Sequence, residues 1–94
     1  MSQKFANFPS LKEKTVFVTG GASGIGAEIV SAFVAQGAKV GFLDLDTSAS
    51  QNLSDTLGGN VQFEVCDLRN ITALKNAMDR LTERLGTADI LVNN

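Results

Sequence analysis

Apolar positions along the chain change their spacing several times, and each change marks an element. Val16-Phe17-Val18 is a continuous apolar run of strand length, so Thr15–Thr19 is expected to be a buried strand. Past it, Ile25, Ile29, Val30, Phe33 and Val34 recur at helical spacing, which predicts a helix from about Gly24 to Gln36 with Gly37 as its stop. Lys39–Asp44 reads as a second strand, apolar toward both faces through Val40, Phe42 and Leu43. A second helix is expected over roughly Ser48–Leu57, capped by Asp46 or Thr47 and stopped by Gly58-Gly59, with Ala49, Leu53 and Leu57 as its buried stripe. Val61–Cys66 gives a third strand. Asn70 then caps a helix over about Ile71–Leu85, which places Ile71, Leu74, Met78, Leu81 and Leu85 inward. Its Lys75, Asp79, Arg80, Glu83 and Arg84 form a solvated face, and Gly86 ends it. Ala88–Val92 begins a fourth strand, followed by Asn93-Asn94. In the lead-in, Phe5 and Phe8 are expected to pack on the domain, and Pro9-Ser10 marks a turn.

Strands alternating with helices through short connections imply a parallel sheet with right-handed crossovers. Four strands and three helices make the first half of a doubly wound, Rossmann-like α/β fold, with the expected strand order 3-2-1-4. No repeat, low-complexity segment or linker interrupts it. The whole of 1–94 therefore reads as the N-terminal half of a single nucleotide-binding domain.

The first strand-to-helix connection, Thr19-Gly20-Gly21-Ala22-Ser23-Gly24-Ile25-Gly26, is where chemistry is expected. Gly20 can take backbone angles closed to residues with a Cβ. Gly24 lets the main chain come close to a ligand, and Gly26 allows tight packing of helix against strand. The free N–H groups at the start of the new helix favour an anion there, and the pyrophosphate of a dinucleotide is the expected one. Ser23 can donate to a phosphate or cap the helix. Without a ligand, the same stretch would be only a glycine-rich loop.

Asp44 stands at the end of the second strand, eighteen positions after Gly26 (44 − 26 = 18). That is near the spacing of about twenty at which an acid hydrogen-bonds the adenosine ribose hydroxyls. A carboxylate there repels a 2′-phosphate, and the neighbouring Ser23, Leu45 and Asp46 offer no cation to hold one. NAD is therefore expected over NADP. The competing reading is that Asp44 only starts the turn and caps the next helix.

Composition removes other classes. Of 94 residues, 44% are hydrophobic and 19% charged, an ordinary globular balance. A net charge of −2 without a basic run gives no reason to expect nucleic acid or an anionic membrane as partner. The apolar runs are strand-sized, far short of a membrane span, and the first residues lack the apolar core of a secretory signal. Cys66 is the single cysteine, which excludes an internal disulfide and fits a reducing, cytoplasmic compartment. With no basic neighbour in sequence it reads as a small strand residue. There is no histidine, hence none of the commonest metal ligand or general base.

The glycine pattern T-G-x-x-x-G-x-G, Asp44, Asp67-Leu68 and Leu91-Val92-Asn93-Asn94, in this order and register, resemble the short-chain dehydrogenase/reductase family over residues 11–94. The resemblance implies NAD-dependent hydride transfer to or from a secondary alcohol, carbonyl or sugar. It further implies that the Ile25 N–H donates to the pyrophosphate and that Asp67 accepts from the adenine amino group. The Leu68 N–H would reach an adenine ring nitrogen. Asn93 would lie beside the adenosine ribose, and the asparagines would lock the central sheet. Taken alone, Asp67 and the asparagines are turn signals. The lead-in FPSLKEK, the glycine turn and FLDLD are also similar to bacterial aldose 1-dehydrogenases of the xylose type. Family members carry a catalytic Tyr-x-x-x-Lys pair in a second half, and are commonly homo-oligomers, whereas this sequence contains no tyrosine. The 94 residues are accordingly expected to be a cofactor-binding piece, inactive by itself, with no catalytic residue. A non-catalytic nucleotide-binding or interaction module on the same fold is the alternative. An S-adenosylmethionine-dependent methyltransferase is a further one, which the form of the glycine turn and the LVNN segment disfavour.

Overall fold

The structure, a computed structural model, describes residues 11–59 and 61–94. The expected packing of Phe5 and Phe8 and the turn at Pro9-Ser10 lie outside the described residues. Seven elements alternate: β1 (Thr15–Thr19), α1 (Gly24–Ala35), β2 (Lys39–Asp44), α2 (Thr47–Leu57), β3 (Val61–Val65), α3 (Ile71–Leu85) and β4 (Ile90–Asn93). The strands form one parallel sheet, as the alternation implies, in the order β3-β2-β1-β4 expected for the first half of a doubly wound fold.

Register divides the sheet residues between two faces. Val16, Val18, Val40, Phe42 and Val61 face α1 and α2, where Ile29, Val30, Phe33, Val34, Leu53 and Leu57 join them. Phe17, Leu43 and Cys66 face the opposite way and pack with Ala77, Leu81 and Leu85 of α3. β1 is buried along its whole length, which is why its apolar residues run without alternation. Gly41 makes room on the second face. A Cβ there would lie 3.1 Å from side-chain atoms of Leu81, Leu85 and Phe17.

Helix ends follow local chemistry. The Asp46 side chain accepts from the Ala49 N–H, and that of Asn70 from the Ala73 N–H, each fixing an N-terminus. Gly37 (φ +86°) follows α1, and Gly58 (φ +55°) stops α2.

The differences from the sequence expectation are local. Helix α1 ends at Ala35 with Gln36 as its cap, α2 begins at Thr47, β3 stops at Val65, and β4 starts at Ile90. Ile25 and Ile71 are 71% and 74% exposed and belong to neither apolar stripe. Each lies in the first turn of its helix, ahead of the residues that meet the sheet. Packing of α3 begins at Ala73 and Leu74, and Ala77 rather than Ile71 completes the stripe. The polar face of α3 is not wholly solvated either. Arg80 Nε donates to Glu64 Oε1 at 2.7 Å, and Arg84 Nη2 donates to Glu64 Oε2.

Candidate functional site

The C-terminal ends of β1, β2 and β4 meet the glycine turn at one edge of the sheet. Gly20 leaves β1 in the left-handed region (φ +67°), which turns the chain toward β2. Its N–H donates to the Leu43 carbonyl at 2.7 Å, and the Gly21 N–H reaches the same carbonyl at 3.4 Å. Gly21 is buried where a Cβ would meet Phe42 Cβ at 2.6 Å and Val30 Cγ2 at 3.0 Å. The turn therefore lies flat on β2 and α1, and only glycine fits.

Ser23 occupies the N-cap position of α1 with extended angles (φ −152°, ψ 167°), and its side chain makes no capping bond. Of the two roles open to it in sequence, capping is thus not taken, and the exposed hydroxyl is free for a ligand. Gly24 (φ +57°) is exposed, with open space where a Cβ would project. The first intrahelical bond is from the Ala27 N–H to the Ser23 carbonyl. Helix geometry thus leaves the N–H groups of Gly24, Ile25 and Gly26 without an intrahelical acceptor. Those donors, the positive end of the helix and the space at Gly24 fit a pyrophosphate. Gly26 is tight, as expected, but against the turn rather than the strand. Its Cβ would fall 1.9 Å from the Gly20 carbonyl oxygen and 2.7 Å from Asn94 Nδ2.

Asp44 completes the turn. Its Oδ2 accepts from the Ala22 N–H at 3.1 Å and its Oδ1 from the Asp46 N–H at 2.9 Å. The capping of α2 falls to Asp46, so Asp44 is left to the turn. Leu45, beside it, is 62% exposed.

Asp67 lies beyond β3 in a tight turn. Oδ1 accepts from the Arg69 N–H (3.0 Å) and Nε (3.1 Å), and Oδ2 from Arg69 Nη2 (3.0 Å). These bonds to the arginine hold the Asp67 carboxyl below its usual range. The folded state gains from this above the usual carboxyl pKa, and loses it as pH falls through the lowered one; solvent screens the effect. Leu68 is half-buried against the Phe17 and Leu43 cluster. Cys66 lies just past the end of β3 rather than in the strand as expected; it is buried, and burial pushes its thiol up against the opposing pull of Arg80. Asn93 ends β4, exposed, in register with Thr19.

The family model for short chain dehydrogenases matches residues 14–94. The chain belongs to that family. It is 40% identical to a probable galactose dehydrogenase of Rhizobium meliloti over 98 aligned positions, covering 100% of this chain and 38% of that protein. It is 42% identical to a D-xylose 1-dehydrogenase of Caulobacter vibrioides over 92 positions, covering 95% and 36%. The solved structure of a Serratia marcescens short-chain dehydrogenase/reductase variant superposes with a TM-score of 0.85 at 34% identity, covering 93% of this chain and 37% of that one. The chain thus spans well under half the length of the proteins it matches. The family resemblance and the likeness to aldose 1-dehydrogenases both stand.

Two contributors to this short-chain dehydrogenase site, Gly21 and Arg69, carry no sequence signal of their own, whereas Asn94 belongs to the asparagine pair expected to lock the sheet. Gly21 was hidden in a run of glycines, and only its adjacency to the strand hinted at close packing. Arg69 gave no signal, because a single arginine after a turn is ordinary. Asn94 is the asparagine that touches the glycine turn: its Nδ2 donates to the Gly20 carbonyl at 3.0 Å and its N–H to Thr19 Oγ1 at 3.1 Å. Among the described residues no group of three or more His, Cys, Asp or Glu is arranged to hold a metal, and no helix is long and apolar enough to cross a membrane.

Proposed function

We propose that residues 1–94 are the N-terminal NAD-binding half of a single Rossmann-like domain in an NAD-dependent oxidoreductase acting on a CH–OH group. The observation that carries the reading is the union of acid and anion site. The Asp44 carboxylate lies 3.1 Å from the Ala22 N–H, within the turn whose helix start offers free donors. In this reading the N–H of Ile25 and the Ser23 hydroxyl hold the pyrophosphate, while Gly20, Gly24 and Gly26 shape the turn. Asp44 accepts from the adenosine ribose hydroxyls beside Leu45, and its charge disfavours a 2′-phosphate. Asp67 and the Leu68 N–H take the adenine, and Asn93 flanks the ribose. Bound NAD supplies a hydride acceptor; these residues bind and orient it. No catalytic residue is assigned among the 94, and the piece by itself is inactive.

The names of the relatives favour a sugar 1-hydroxyl as substrate, and a homo-oligomer in the cytoplasm is the working state of the whole protein. Calorimetric titration with NAD and NADP tests the cofactor reading. Tighter NAD binding is expected, and tighter NADP binding overturns the role of Asp44.

A further inference from the structure

We propose that Asp44 is a positioning residue for the pyrophosphate turn as well as the acid that faces the ribose, so that the two ends of the cofactor site are coupled through one carboxylate. The inference rests on the dinucleotide reading above and extends it.

The turn is held to the end of β2 by three N–H groups in succession. Gly20 and Gly21 share the Leu43 carbonyl, at 2.7 and 3.4 Å, and Ala22 donates to Asp44 Oδ2 at 3.1 Å. The first two bonds are to main chain and do not involve the side chain at position 44. The third is to a side chain, and it fastens the residue immediately before Ser23 and the helix start. Ala22 is 6% exposed, so water has little access to its N–H if the carboxylate is removed. The other oxygen, Oδ1, is fixed by the Asp46 N–H at 2.9 Å, which sets the plane of the carboxylate. A carboxylate has about four acceptor sites, and two are used here. The two remaining are enough for a pair of ribose hydroxyls without releasing Ala22.

Removing the acid to admit a 2′-phosphate therefore also loosens the turn that holds the pyrophosphate. Asp44→Ala is expected to lose NAD affinity without gaining a tight NADP site.

The test uses the full chain and three probes: ADP, 2′,3′-dideoxy-ADP and 2′,3′-dideoxyadenosine. Dideoxy-ADP has no ribose hydroxyl for the acid to read, so a residue that only reads ribose leaves its binding untouched. Asp44→Ala is expected to weaken dideoxy-ADP about tenfold, the scale of one buried N–H left unpaired. Binding of dideoxyadenosine, which has no phosphate, is expected to stay unchanged, whereas general damage to the fold would weaken it too. Amide exchange gives a readout that needs no ligand. The Ala22 N–H is expected to exchange faster in Asp44→Ala while the Val18 N–H keeps its protection. If Asp44→Ala does not fold, Asp44→Asn retains one acceptor oxygen, and a smaller shift of the same sign is expected. Unchanged exchange at Ala22, or unchanged dideoxy-ADP binding beside weakened ADP binding, overturns the coupling and leaves the ribose role intact. Faster exchange at Ala22 in a protein that binds neither nucleotide supports the brace and sinks the dinucleotide reading instead.

Discussion

β3 and β4 border the same sheet, one at each side, and they meet solvent with different chemistry. β3 carries Gln62 and Glu64, and the Glu64 carboxylate sits between Arg80 and Arg84 of α3. Both α2 and α3 pack on it. β4 presents Ile90-Leu91-Val92, with no charge among them. Leu91 is 49% exposed although its register partner on β1, Phe17, is 2% exposed. An edge finished for water has charge and cover, because unpaired strand groups invite pairing with another chain. β3 meets that description. β4 has instead the uniform apolar composition of an interior parallel strand. All three arginines of the chain, Arg69, Arg80 and Arg84, serve carboxylates on the β3 side.

The largest expected effect probes how firmly β3 is held. Phe63 stacks on Phe42 with ring centroids 5.5 Å apart and planes 20° from parallel. Phe63→Ala should destabilise by about 3 kcal/mol, the low end for a phenylalanine at a site that is only partly buried. Urea unfolding measures it, and a loss below about 1 kcal/mol would mean that β3 is no better fixed than an ordinary surface position. Next comes the charge. Glu64→Ala leaves two arginines facing each other with no carboxylate between them. A loss of about 1 kcal/mol is expected, kept small because both arginine side chains are about half in solvent. High salt should narrow the gap from wild type; a gap that salt leaves unchanged would point to packing rather than charge.

A flaw on the same side gives a prediction of opposite sign. Ser50 in α2 is fully buried, and its hydroxyl has no hydrogen-bond partner. Ser50→Ala removes the unpaired group with little loss of volume, so a gain of somewhat under 1 kcal/mol is expected. A lower unfolding midpoint in the variant would show that the hydroxyl does have a partner in solution.

Much of this was legible in the sequence. The alternation of elements, the whole of β2 and the Asn70 cap follow from spacing and turn residues, because burial on two faces leaves a strong imprint on apolar patterning; the strand order follows only from the doubly wound template that the alternation fits. The glycine turn was legible for the same reason, since left-handed angles at Gly20 and crowding at Gly26 admit one residue type. Ile25 and Ile71 were misjudged because periodicity records which face a residue occupies and not where along the helix the sheet begins. The pairing of Glu64 with Arg80 and Arg84 joins residues 16 and 20 positions apart, and no local pattern encodes it. The bond from Ala22 to Asp44 was hidden likewise: spacing marks the acid, but not which backbone donor it holds.

The smallest change in stability is expected at β4, and it separates composition from packing most sharply. Leu91 is half-exposed, so Leu91→Lys removes little buried area, and stability should stay within about 0.5 kcal/mol of wild type. The lysine stem can still lie along Phe17 while its ammonium reaches water. The edge itself changes character, because a charge at the centre of Ile90-Leu91-Val92 opposes addition of another strand. Sedimentation velocity across a concentration series is the measurement. The wild-type 94-residue chain should self-associate as concentration rises, and Leu91→Lys should remain monomeric over the same range. Glu64→Ala, which uncovers β3, should move in the opposite direction. A wild-type chain that stays monomeric throughout would mean that apolar composition alone does not make β4 adhesive, and the contrast between the two borders would then lie in packing only.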